Sequence, residues 1–131
     1  MTRDAEQYER VFKTAWFTKA AKKAHIDDEE LCTAIRQVML GQADDLGGGV
    51  WKKRLNKNQY RSIILARGGQ YWVYAYLFAK QDMANISDSE LSYLRDYAAL
   101  FVRKTETEIA TDLRLNEIVE ICHAESTEVQ K

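Results

Sequence analysis

The sequence predicts an α+β fold: an antiparallel sheet packed against helices. Three observations carry this. Hydrophobic spacing turns from helical to alternating after Gly47-Gly48-Gly49. Gly68-Gly69 separates two β-rich runs, a strong two-residue hairpin signal. Ser87-Asp88-Ser89-Glu90 opens a new helical pattern as a capping box. The order is β-α-α-β-β-β-α with a C-terminal extension, on helices to one side of the sheet.

The elements follow in order. Glu9 to Phe17 is rich in aromatic and β-branched residues and predicts the first strand. Thr18 to His25 predicts a short helix. Asp27 to Leu40 predicts a second, with Asp27 as cap and Glu30 completing a capping box. Leu31, Ile35, Val38 and Met39 share its apolar face, and Gly41 stops it. Val50–Leu55, Tyr60–Arg67 and Gln70–Ala79 predict three strands. Leu91, Leu94, Ala98 and Phe101 are spaced for a long helix. Thr105 and Glu108 cap a shorter one ending near Leu115. The tail from Asn116 is ambiguous, with Ile118 to Cys122 as its candidate strand.

The chain has 131 residues, suited to one domain over 1–131, with a core of about 9–103 and an acidic extension of 104–131. Hydrophobic residues make up 46%, enough for an ordinary core. No run approaches the ~18 apolar residues of a membrane span. The polar start, Met1 to Glu9, lacks a signal-peptide pattern. Cys32 and Cys122 are too few for a disulfide framework, so a reduced, cytoplasmic protein is expected. No His/Cys spacing predicts a metal, and no phosphate-loop motif predicts a nucleotide cofactor; Gly47 to Gly49 precedes a strand rather than a helix.

The net charge of -1 hides a division. Met1 to Asp45 holds seven Lys/Arg and nine Asp/Glu; Asp82 to Lys131 holds five and eleven. The thirty-six residues between, Leu46 to Gln81, hold seven Lys/Arg and no acid. Local field rather than net charge decides whether phosphates are attracted.

Strand register gathers these cations. The glycine turn sets Arg67 opposite Gln70, hence Ile63 opposite Tyr74 and Arg61 opposite Tyr76. Arg61 then shares a face with Trp72, Tyr74, Tyr76, Phe78 and Lys80, while Ile64, Val73, Ala75 and Leu77 face the helices. A four-residue loop, Asn56 to Gln59, sets Arg54 opposite Arg61 and brings Lys52 to the same face; a three-residue loop brings Lys53 instead. Cations among aromatics suit single-stranded RNA, phosphates on the former and bases on the latter. The competing account is a solvated edge whose lysines deter aggregation, over a core of strand aromatics.

The stretches LGGGVWKKRL and YRSIILARGGQYWVYAYLFAKQDMANISDSEL resemble the RelE/HigB superfamily of bacterial toxin–antitoxin modules, and within it the HigB-type branch. The matching residues are Leu46 to Val50, Lys52, Arg54, Tyr60-Arg61, Ile63-Ile64, Phe78-Ala79-Lys80 and Asn85-Ile86. RVFKTAWFTKAAKKAHIDDEEL matches the N-terminal strand and helices, so the resemblance covers roughly Arg10 to Val102. It implies an mRNA interferase that cuts messenger RNA, often at the ribosome, and a cognate antitoxin as partner. There are two departures: the loop before Tyr60-Arg61 is shortened to NKNQ, and Met83 stands where an arginine is common.

For RNA cleavage, the 2′-OH must lose its proton, the phosphorane must be stabilised and the 5′-oxygen must be protonated. Arg54 and Arg61 suit the middle task. Lys52, among cations that depress its pKa, is the candidate base. Lys80 and Tyr76 are candidates for the acid or for orienting the phosphate. Lys53, Lys57, Tyr60, Arg67 and Tyr74 are the candidate RNA-binding residues. His25 reads as a helix-end cation and His123 as a tail residue. Lys19, Lys22 and Lys23 form a second basic patch, read first as a solvated face. Two rivals stand beside the ribonuclease: a ParE-like gyrase inhibitor acting by protein binding, and a non-catalytic RNA-binding regulator.

Overall fold

The computed structural model describes residues 9–67, 71–82 and 86–122. The elements are β1 (Arg10–Thr14), α1 (Ala15–Lys23), α2 (Asp28–Met39), β2 (Asp44–Gly47), β3 (Val50–Leu55), β4 (Tyr60–Arg67), β5 (Tyr71–Ala79), α3 (Asp88–Val102), α4 (Glu106–Arg114) and β6 (Ile118–Ile121). The α+β class holds. The strands form one sheet in the order β2-β3-β4-β5-β1-β6.

Local chemistry explains the boundaries. Thr14 ends β1 early because its hydroxyl caps α1, accepting from the Phe17 N–H at 3.0 Å. The expected first strand therefore loses Ala15, Trp16 and Phe17 to a helix. Asp27 caps α2 by accepting from the Glu30 N–H, and three acids occupy its first turn, where the helix dipole favours them. The expected capping box is only half formed, because the Glu30 carboxylate accepts from the Asn56 N–H instead. The boxes at Ser87/Glu90 and Thr105/Glu108 are complete. His25, just past α1, takes φ 60, the left-handed conformation of a helix stop.

Helices cover both faces of the sheet rather than one. Phe17, Ala21, Leu31, Ile35 and Val38, from α1 and α2, bury one face with Ile64, Trp72 and Tyr74. Leu94, Ala98, Phe101 and Ile109, from α3 and α4, bury the other with Val50, Ile63, Leu65 and Val73. Each fully buried aliphatic or aromatic side chain contributes about 1.5–3 kcal/mol, so both faces are strongly held.

The sheet is not purely antiparallel. β1 lies parallel to β5, with Arg10 to Lys13 opposite Tyr71 to Tyr74. β6 pairs antiparallel with the far side of β1. The ambiguous segment is thus a strand, and the acidic extension is built into the fold: Ile109, Ile118 and Ile121 are buried. β2, which the sequence did not announce, folds back on β3 through the glycine turn. Gly49 needs its hydrogen there: φ is +84°, and an added Cβ would lie 3.1 Å from the Ala66 carbonyl oxygen.

Cys32 of α2 and Cys122, just past β6, form a disulfide with Cα atoms 5.5 Å apart. This corrects the expectation of unpaired thiols. A separation of 90 residues hides the pairing in the sequence. Tertiary structure creates it, by laying β6 beside β1 on the face that α2 covers.

Candidate functional site

The cations converge where the sheet's α3-side face leaves its apolar cover. Three cross-strand rows define the place. Val50 lies opposite Leu65, and Leu65 opposite Val73, under α3. In the next row Lys52 lies opposite Ile63, and Ile63 opposite Tyr76. In the last row Arg54 lies opposite Arg61, and Arg61 opposite Phe78. The four-residue loop at 56–59 therefore has the length the register argument required. Lys52 and Arg54, two residues apart on β3, are spaced by ~6.8 Å along the strand. Arg54 and Arg61, directly opposite, have Cβ atoms ~5 Å apart.

Arg61 is 7% exposed, an unusual position for a cation. It is pinned: its Nη1 donates to the Asn58 carbonyl at 3.0 Å and to the Tyr60 carbonyl at 3.3 Å. Both bonds leave from one nitrogen of the planar fork. The loop that supplies Asn58 is strained. Asn56, Lys57 and Asn58 have φ of 51°, 54° and 74°, three left-handed residues in succession. The asparagines tolerate this; Lys57 does so at a cost. Arg54 is exposed.

Asp44 is the acid that the sequence missed. β2 places it opposite Lys52, with its carboxylate 3.6 Å from Nζ. The turn at Gly47 to Gly49 folds Asp44 back onto Lys52, a contact that no periodicity in a four-residue strand signals. Asp44, Lys52 and Arg54 line a hollow of about 250 Å³. Lys52 therefore faces an acid across the strand pair as well as the Arg54 charge along its own strand. The pKa of its neighbour Lys53 is lowered, through burial first and the Arg54 charge second. Lys53 points to the opposite face and donates to the Gln42 carbonyl at 3.0 Å.

The remaining predicted residues divide. Tyr76 joins the cation face, packed on Phe78 with ring centroids 5.9 Å apart. Tyr74 does not. It is fully buried beneath α1 and α2, against Phe17, and donates to the Leu31 carbonyl at 2.7 Å. Burial raises its pKa far above the usual tyrosine value. Trp72 is also in that core. The cause is a bulge: Ile63 faces Tyr76 while Ile64 faces Tyr74, leaving Ala75 as an extra residue. The pairing is already one residue out next to the turn, where Arg67 faces Tyr71 rather than Gln70; that shift and the bulge together replace the expected pairs Ile63–Tyr74 and Arg61–Tyr76 by Ile63–Tyr76 and Arg61–Phe78.

Lys80 sits in the turn after β5, exposed, and shares a hollow of about 560 Å³ with Lys57 and Tyr60. It lies beyond the three rows. Arg67 is six residues from Arg61 along β4, ~20 Å away, at the far end of the strand. Gly68, Gly69, Met83, Asn85 and His123 lie outside the described residues. Among the described residues, no group of three His, Cys, Asp or Glu side chains is placed to hold a metal, and no helix is long and apolar enough to cross a membrane.

Residues 9–121 match the family model of the RelE toxin of the RelE/RelB toxin–antitoxin system. The chain belongs to that family, whose toxins pair with a cognate antitoxin. No curated protein and no solved structure matches it.

Proposed function

We propose that this RelE-family toxin is an mRNA interferase, an endoribonuclease that stops translation by cutting messenger RNA at the ribosome in the cytoplasm. One observation supports this most: Asp44, Lys52, Arg54 and Arg61 meet on one face of three neighbouring strands, with Tyr76 beside them. Pinned Arg61 and exposed Arg54 grip the non-bridging oxygens and offset the charge that grows on them in the phosphorane. Asp44 accepts the 2′-OH proton as the 2′-oxygen attacks phosphorus. The phosphorus–5′-oxygen bond breaks, and Lys52 protonates the leaving oxygen. The products are a 2′,3′-cyclic phosphate and a free 5′-hydroxyl. The RNA supplies the nucleophile, so the reaction requires no metal.

Tyr76 orients the strand, and exposed Lys57 and Lys80 hold flanking phosphates. A gyrase-binding toxin has no use for a rigid guanidinium opposite a second one. The assay is primer extension on transcripts after induction, with and without translation, and the same cleavage in vitro with EDTA. Arg61→Ala and Arg54→Ala are each expected to slow cleavage by about 10²–10³-fold, the loss typical of a deleted transition-state donor. An RNA with a 2′-deoxy residue at the cut should be inert. Full growth arrest by the Arg54→Ala/Arg61→Ala double variant would refute the ribonuclease.

A further inference from the structure

β5 outruns its neighbour. β1 pairs with Tyr71 to Tyr74 only, while β5 continues to Ala79. Beside the rest of β5, which among the described residues has no strand partner on the β1 side, lies α1, and between them runs a groove of about 630 Å³. Trp16, Lys19 and Lys23 line one wall; Tyr76 and Phe78 line the other. Trp16 is 51% exposed, yet it is stacked on Tyr76 with centroids 5.1 Å apart and planes at 29°. Tyr76 in turn packs on Phe78. An aromatic ladder therefore leads from solvent to the residue opposite Arg61.

Lys19 and Lys23 are exposed and one helical turn apart, so both reach the same groove. Ala20 and Ala24, between and beyond them, are small and leave it open. Gln81 and Asp82, also lining it, offer polar atoms to the edge of a base. An open stack of rings with cations at its rim is complementary to an unpaired nucleotide: π-face to π-face, ammonium to phosphate.

We propose that this groove is a stacking subsite for one unpaired base of the RNA strand flanking the cut, with Lys19 and Lys23 holding the adjoining phosphate. The proposal rests on the ribonuclease reading and extends its site by one nucleotide, from the cation face around the end of β5 to α1. The second basic patch, a solvated face when read from sequence, becomes part of the RNA path.

The test uses the full-length chain and an uncleavable 2′-O-methyl RNA oligonucleotide, with affinity read by fluorescence anisotropy. Trp16→Ala should weaken binding about tenfold, and Trp16→Phe should recover most of it. A series with one abasic residue at each position should contain one member that loses about as much, and Trp16→Ala should cost that member little more. Lys19→Gln/Lys23→Gln should reduce the slope of log affinity against log salt by about 1.4. The abasic series needs no variant, so a misfolded Trp16→Ala does not shield the idea. Unchanged affinity in Trp16→Ala, with wild type still binding and cutting RNA, overturns the groove alone and leaves the unpaired β5 edge to a peptide strand. A wild type that neither binds nor cuts RNA removes both readings together.

Discussion

Tyr74 and Tyr76 are two residues apart on one strand, and ordinary pleating would put them on the same face. They share almost nothing. Tyr74 is sealed beneath α1 and α2, with β1 on one side and β4 on the other. Tyr76 faces the opposite way, has no β1 partner, and stacks on a half-exposed tryptophan. One extra residue, Ala75, separates the two regimes. The first half of β5 is scaffold; the second half is surface with chemistry on it. Bulges beside functional sites commonly re-aim side chains in this way.

The largest expected effect tests the scaffold half. Tyr74→Ala removes a fully buried ring and should cost about 3–5 kcal/mol of stability, measured by urea unfolding. Tyr76→Ala should cost about 1 kcal/mol, the worth of its ring contacts, while RNA cutting falls sharply. Equal losses of stability would mean that the bulge does not divide the strand as described.

A smaller effect separates the tyrosines by pH. Burial raises the Tyr74 pKa, so the folded state keeps a proton that the unfolded chain releases above about pH 10. The unfolded state then binds fewer protons, and stability falls as pH rises. The contribution is complete below about pH 10 and declines above it by about 1.4 kcal/mol per pH unit. Tyr74→Phe should flatten the alkaline slope by that amount, leaving the parts due to Tyr71 and Tyr97, which burial also raises. At neutral pH the same variant loses one hydrogen bond to the Leu31 carbonyl, about 1 kcal/mol. An unaltered alkaline slope would place Tyr74 in contact with solvent.

Much of this architecture was legible because its signals are local. The capping boxes at Ser87 and Thr105, the apolar spacing of α2 and the four-residue loop that sets Arg54 against Arg61 all lie within a few residues of their effects. The acid-free stretch likewise announced the cation face. What escaped depends on distant partners. The parallel pairing of β1 with β5, the helices on both faces and the Cys32–Cys122 bond each join segments far apart in the chain. Trp16 was read as strand because its β propensity was weighed before the capping hydroxyl of Thr14. Tyr74 was misplaced because Arg67 pairs with Tyr71 rather than Gln70, and because Ala75 breaks the alternation towards Tyr76. Asp44 was passed over because a four-residue edge strand leaves almost no periodicity to find.

The smallest effect concerns the cost of the chemistry half. Arg54 faces Arg61 directly, and like charges in opposed positions destabilise a sheet by up to about 1 kcal/mol. Packing alone offers no reason to keep that pair: a glutamine at residue 54 keeps the aliphatic stem and carries no charge. Arg54→Gln should therefore raise the urea midpoint slightly at low salt, and the gain should shrink as salt screens the wild-type repulsion. Cutting should fall by about the same factor as for Arg54→Ala. The joint result is the informative one, since stability gained together with activity lost marks a residue held against the interest of the fold. If Arg54→Gln instead destabilises the protein, Arg54 belongs to the scaffold, and the boundary drawn at Ala75 has to move towards the loop.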